Sequence, residues 1–181
     1  SAKKATARNH TATHLLQAAL KRVLGAHVNQ AGSSVSPERL RFDFSHFEPV
    51  TAEQMQEVEK IVNNVIFSAT DVEIFETSQD EAKAMGAMAL FGEKYGDRVR
   101  VVSVGDYSKE LCGGTHVDNV AMIGTFKIIS EAGVASGVRR IEAITGEAAL
   151  EYFNGKLATL NTVSDMLRTR PEEIAARLDA V

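Results

Sequence analysis

This 181-residue chain has one cysteine, no tryptophan, three prolines and an aromatic content of only 6%. A lone cysteine cannot close an intramolecular disulfide, so no covalent cross-link holds the fold, and a reducing compartment, the cytoplasm, is the expectation. No apolar run approaches the roughly 20 residues that cross a bilayer, which excludes a membrane-spanning helix on sequence grounds. Neither sign of charge dominates: 20 Lys and Arg against 24 Asp and Glu give a formal net charge of −4. Any nucleic-acid contact must therefore come from a local basic patch and not from the field of the whole molecule. The candidates are Arg139-Arg140, Arg39 with Arg41, and Lys3, Lys4 and Arg8; each alone also reads as ordinary solvated charge. The opening residues contain neither an initiator Met nor an apolar signal core, and read as an interior point of a longer chain or a trimmed one.

What is present is a 44% hydrophobic, 24% charged composition, that of a globular domain long enough for one substantial core. Leu15, Leu16, Ala19, Leu20 and Val23 recur at helical spacing from about Asn9 to Leu24, with Gly25 as the stop. The Gly/Ser segment 29–35 and the alternating Leu40-Arg-Phe-Asp-Phe44 suggest a hairpin across Ser36-Pro37-Glu38. Thr51 to Gln54 has capping-box spacing ahead of a long amphipathic helix through Val65. Strands are expected at 72–77, 99–104, 126–129 and 138–144, and a short helix from Ser78 that Gly86 ends. Beyond Gly146 the texture turns helical, with Pro171 opening a new helix. The expected class is α+β, a mixed or antiparallel sheet with packed helices over residues 1–146, followed by the start of a helical module over 147–181.

The chemistry-bearing residues form two half-sites, His10-Thr-Ala-Thr-His14 on the first helix and Cys112-Gly-Gly-Thr-His116 in a loop. Each pair is separated by four positions, and together they make a candidate Cys/His₃ zinc site. Taken singly, the histidines read as ordinary helix residues and Cys112 as an inert buried thiol. Gly113 and Gly114 allow the bend that turns Cys112 and His116 the same way. A helical metalloprotease carries a glutamate between its two histidines, and none stands between His10 and His14. A nucleobase deaminase pairs His-x-Glu with Pro-Cys-x-x-Cys, and both are missing. Four protein ligands also leave no open position for a water, so the metal organises a pocket more readily than it activates a nucleophile.

His-x₃-His on an early helix, Gln30-x-Gly-Ser-x-Val35, Cys-Gly-Gly-Thr-His, Ile123-Gly-x-Phe-Lys-Ile128 and Gly137-Val-Arg-Arg-Ile-Glu-Ala143 together resemble the editing domain of alanyl-tRNA synthetases. They also resemble free-standing alanyl-tRNA deacylases and the second additional domain of threonyl-tRNA synthetases. The resemblance runs from about Arg8 to Gly146, and the tail is similar to the helical start of the synthetase's C-terminal region. It implies an excised editing domain that hydrolyses seryl- and glycyl-tRNA(Ala) and spares alanyl-tRNA, with zinc as cofactor. The tRNA(Ala) acceptor end and the remaining synthetase modules are the implied partners, and no ATP-dependent activation or tRNA charging is expected from this part.

The resemblance further implies catalytic or side-chain-reading roles for Gln30, Thr13 and Cys112. It places Arg139 and Arg140 near the RNA, with Gly113 and Gly114 offering backbone N–H groups. The alternatives stay open: a helix hydroxyl bonded to its own preceding turn for Thr13, a solvent-facing loop residue for Gln30, a structural ion pair for one arginine, and simple turn geometry for the glycines. The competing function is a zinc-stabilised module that binds the acceptor end without catalysis. An oligomerisation role rests only on the apolar face of the tail.

Overall fold

The computed structural model describes residues 1–89 and 94–180. Contacts divide the chain into two units, Ser1–Gly146 and Glu147–Val181. The first unit is α+β, with two antiparallel sheets and packed helices.

Helix α1 (Ala2–Leu24) begins seven residues before the apolar periodicity does. Its first turns, Ala-Lys-Lys-Ala-Thr-Ala-Arg, are mostly good helix formers that bury only the small Ala7, so propensity extends the helix where hydrophobic spacing is silent. Gly25 ends it, at φ +123° with its N–H on the Lys21 carbonyl.

Strands β1 (Gln30–Val35) and β2 (Leu40–Ser45) form the expected hairpin, with Val35 opposite Leu40. β6 (Phe126–Ala135) and β7 (Val138–Thr145) form a second hairpin, and the sheet order is β1-β2-β7-β6. Alternation puts Leu40, Phe42 and Phe44 of β2 on the buried face. There they join Leu15, Leu16 and Leu20 of α1, Val58 and Val62 of α2 (Ala52–Phe67), and Phe126 and Ile141. Each such side chain contributes about 1.5–3 kcal/mol by leaving water.

The second sheet, β3-β4-β5, is made by Val72–Ser78, Arg98–Val104 and Ser108–Leu111. α3 (Gln79–Ala84) follows β3, and both α2 and α3 start on complete capping boxes, Thr51 with Gln54 and Ser78 with Glu81. The short β5 carries the chain from β4 into the Cys112 loop. Tyr107, just before it, donates to the Leu15 carbonyl at 2.8 Å and so ties this sheet to α1.

The second unit consists of α4 (Gly146–Met166), a 3₁₀ turn Pro171–Glu173 with proline at its start, and α5 (Ile174–Asp179). No helix among the described residues is long and apolar enough to cross a membrane.

Candidate metal centre

One turn of α1 separates His10 from His14, and Cys112 and His116 stand on the loop leaving β5. The fold brings the four together, with one donor atom from each lying within 4.8 Å of the others. Cys112 Sγ is 3.4 Å from His10 Nε2 and 3.3 Å from His116 Nε2. Ordinary Zn–S and Zn–N bonds at tetrahedral angles give an N···S edge of about 3.5 Å. The donor set and its spacing fit zinc.

Each histidine is held from behind. With Nε2 turned to the quartet, His116 has Nδ1 3.1 Å from Thr11 Oγ1, and that oxygen also accepts the Val117 N–H at 3.2 Å. His14 Nδ1 is 3.3 Å from Glu110 Oε2, and a backbone hydrogen bond to Thr115 holds the His10 ring. Such outer partners fix ring orientation and tautomer in metal sites. The His14–Glu110 contact is close but not aligned as a hydrogen bond, which leaves His14 Nδ1 a buried polar atom without one; the other carboxylate oxygen, Glu110 Oε1, is a second.

Burial lowers the His14 pKa to about 3, with the His10 charge adding to it, and lowers His116 to about 2, helped by His14, His10 and Arg100. His10 moves the same way, burial again leading. Burial pushes the Glu110 carboxyl up to about 8 against the pull of Lys21. Three imidazoles are thereby kept neutral, the form that binds a metal.

The loop geometry has two supports. A Cβ on Gly114 would collide with the His10 ring, so glycine there is what lets the loop lie against α1. Gly113 faces open space. Arg100 of β4 donates to the carbonyls of Cys112 and Gly114 at 2.7 and 2.8 Å, pinning the loop from its other side.

Gln17 and Lys21 continue the His10–His14 stripe of α1 at helical spacing. They line a cleft of about 560 Å³ whose other walls include Asn29, Gln30, Ser45 and Met88. The cleft begins about 5 Å beyond His14 by helix rise. Gln30, first residue of β1, is half-buried there and donates to Ser33 Oγ at 3.0 Å.

Thr13 is buried, and its hydroxyl donates to the Asn9 carbonyl at 2.8 Å, the local helix bond that competes with any substrate role. Arg139 is forked onto Glu131 at 2.6 and 2.9 Å, and Arg140 onto Asp43 at 2.8 and 2.9 Å. Both guanidinium forks are occupied, where only one structural ion pair was entertained.

Thr11, Arg100 and Glu110 were not singled out from the sequence. Strand alternation carries a usable signal for one of them, since Glu110 precedes Cys112 by two positions. Arg100 reaches the loop only through the β4–β5 pairing, which no local pattern announces.

Residues 99–142 match the family described as the threonyl and alanyl tRNA synthetase second additional domain. The matched stretch holds Arg100, Glu110, Cys112, His116, Arg139 and Arg140. Alanine–tRNA ligases are similar over nearly the whole chain: that of Bacillus cytotoxicus is 59% identical over 174 residues, and that of Geobacillus kaustophilus 60%. In both cases 96% of this chain and 20% of the relative are covered. The chain thus spans about a fifth of the length of these curated relatives. An α+β fold with antiparallel sheets is consistent with the second additional domain.

Proposed function

We propose that this chain is an editing hydrolase of the cytoplasm, cleaving the ester of seryl- and glycyl-tRNA(Ala) and sparing alanyl-tRNA(Ala). The observation that carries the reading is the Cys/His₃ quartet with a Gln30-lined cleft one helix turn along α1, in a chain that resembles the second additional domain. His10, His14, Cys112 and His116 would hold zinc. When bound there, the ion would organise the pocket and supply positive charge near the ester.

The chain's own residues do the sorting. A pocket that rejects an added hydroxyl by steric pressure reaches only about a hundredfold discrimination. A pocket that hydrogen-bonds that hydroxyl rejects alanine instead, because alanine leaves buried polar groups unpaired. Gln30 offers both an amide donor and an acceptor to the seryl side chain. Thr13 has already donated its proton to Asn9, so it contributes acceptor lone pairs at most, and discrimination is assigned chiefly to Gln30. Hydrolysis joins a water oxygen to the ester carbonyl carbon and breaks that carbon's bond to the ribose oxygen. The water's proton ends on the ribose, freeing the amino acid and the tRNA.

The second reading, a zinc-stabilised module that binds the acceptor end without chemistry, draws on the same quartet: four protein donors complete a tetrahedral shell. Single-turnover deacylation at high protein concentration separates the two readings. Release of serine from seryl-tRNA(Ala), with alanyl-tRNA(Ala) left intact, supports editing. RNA binding with no release supports the binding module.

A further inference from the structure

Helix α1 carries five cations, Lys3, Lys4, Arg8, Lys21 and Arg22, and no carboxylate in its 23 residues, although the chain as a whole has a net charge of −4. The metal ligands His10 and His14 sit between the two cationic groups. Elsewhere Arg39, Arg98, Lys109, Lys127, Arg139 and Arg140 each lie within 4.0 Å of a carboxylate, while cations unpaired among the described residues, such as Lys60 and Lys83, stand singly on their helices. None of the α1 cations makes such a pair among the described residues. Arg8 donates to the Met122 carbonyl, Lys21 to Asn29, and Arg22 lies over the Tyr107 ring, which leaves each positive charge uncancelled by a salt-bridge partner.

The surface at both ends is concave. Lys3, Lys4 and Arg8 line a hollow of about 280 Å³ that also includes Thr115 and His116, one of the quartet. Its one carboxylate-bearing residue is Asp118. At the other end Lys21 is shared between the Gln30 cleft and a groove of about 320 Å³ that Arg22 and Lys109 also line, with Asp106 as its acidic residue. From Lys4 to Lys21 the helix rises about 26 Å. A small rigid anion needs one such hollow. Two, separated by that distance with the metal quartet between them, match a chain of phosphates.

We propose that α1 is the track for an RNA phosphate backbone, with Lys3, Lys4 and Arg8 gripping phosphates on one side of the metal quartet and Lys21 and Arg22 on the other. The inference rests on tRNA being the substrate. It moves the electrostatic contact away from Arg139 and Arg140, whose forks are engaged by Glu131 and Asp43. Exposed lysines of this kind hold polyanions by displacing condensed counterions, so their signature is the salt dependence of binding.

The test uses the full 181-residue chain and a non-aminoacylated RNA hairpin with a single-stranded 3′ tail, its dissociation constant measured across a salt series. The variants are Lys3→Gln/Lys4→Gln and Lys21→Gln/Arg22→Gln, with Lys60→Gln/Lys83→Gln on α2 and α3 as an equal-charge control. Each α1 double variant should lower the slope of log K against log salt by about one to two and weaken low-salt binding by about tenfold. The control should keep the wild-type slope. Lys21→Arg/Arg22→Lys should restore it, which separates lost charge from lost packing on Tyr107.

An unchanged slope in both α1 variants overturns the proposal. So does wild-type binding to anionic lipid vesicles but not to the RNA, which assigns the helix to a membrane surface. Seryl-tRNA hydrolysis, measured separately with the same protein preparations, keeps the two ideas apart. A lost slope without any hydrolysis leaves the track standing and removes editing; hydrolysis with an intact slope does the reverse.

Discussion

At Gly114 the backbone passes so close to the His10 imidazole that any side chain would occupy the ring's place. The neighbouring Gly113 has no such constraint. Gly114→Ala should therefore weaken zinc binding by at least tenfold and cost about 1–3 kcal/mol, as small-to-large changes in packed sites do. Gly113→Ala should leave zinc content and melting temperature near wild type, and metal analysis with thermal melts on the pair checks this contrast.

Two further substitutions divide the site by task. Cys112→Ala removes one donor of the quartet and should reduce both zinc content and hydrolysis. Gln30→Ala touches only the cleft, so metal should stay while turnover or the serine-over-alanine preference falls. If zinc stoichiometry survives Cys112→Ala, the thiol is not a ligand.

The Cys112 loop depends on an element that alternation and length do not advertise. β5 is only four residues, Ser108–Leu111, and exists because it pairs with β4. That pairing puts Arg100 under the loop carbonyls and Glu110 beside His14. Arg100→Met should leave both sheets folded yet release the loop. The expected result is a 10–100-fold loss of zinc affinity, the range typical of outer-sphere supports, with little change in far-ultraviolet circular dichroism. Loss of the whole fold instead would mean that Arg100 is a core strut.

What could be read from the sequence follows the same division. The quartet was legible because each half-site is local, one on a helix turn and one in a glycine bend. The β2 face was legible because Leu40, Phe42 and Phe44 alternate strictly. Thr11 behind His116, Glu110 behind His14 and Arg100 behind Cys112 were not, because their roles come from pairings across 105, 96 and 12 positions. The start of α1 lay outside the expected helix for another reason, since a segment that buries only the small Ala7 leaves no hydrophobic period.

At the scale of the whole molecule, α1 spans much of the first unit's logic. It packs the core through Leu15, Leu16 and Leu20, supplies two of the four Cys/His donors, walls the Gln30 cleft and concentrates positive charge in an acidic chain. Zinc held by the quartet would tie α1 to the β5 loop in the folded state, so its removal should be felt globally. Adding a chelator to the zinc-loaded chain should lower the melting temperature by several degrees, about 3–4 kcal/mol being lost where zinc had stood at a few hundred times its dissociation constant. Restoring zinc should recover the original melt.

The reading of this domain as an editing hydrolase stands on single-turnover deacylation by the zinc-loaded chain, measured side by side on seryl-tRNA(Ala) and alanyl-tRNA(Ala). Serine should be released at least a hundredfold faster than alanine, and Gln30→Ala should narrow that gap while zinc content holds. Equal rates on the two esters, or no release from either with zinc bound and RNA engaged, would contradict it.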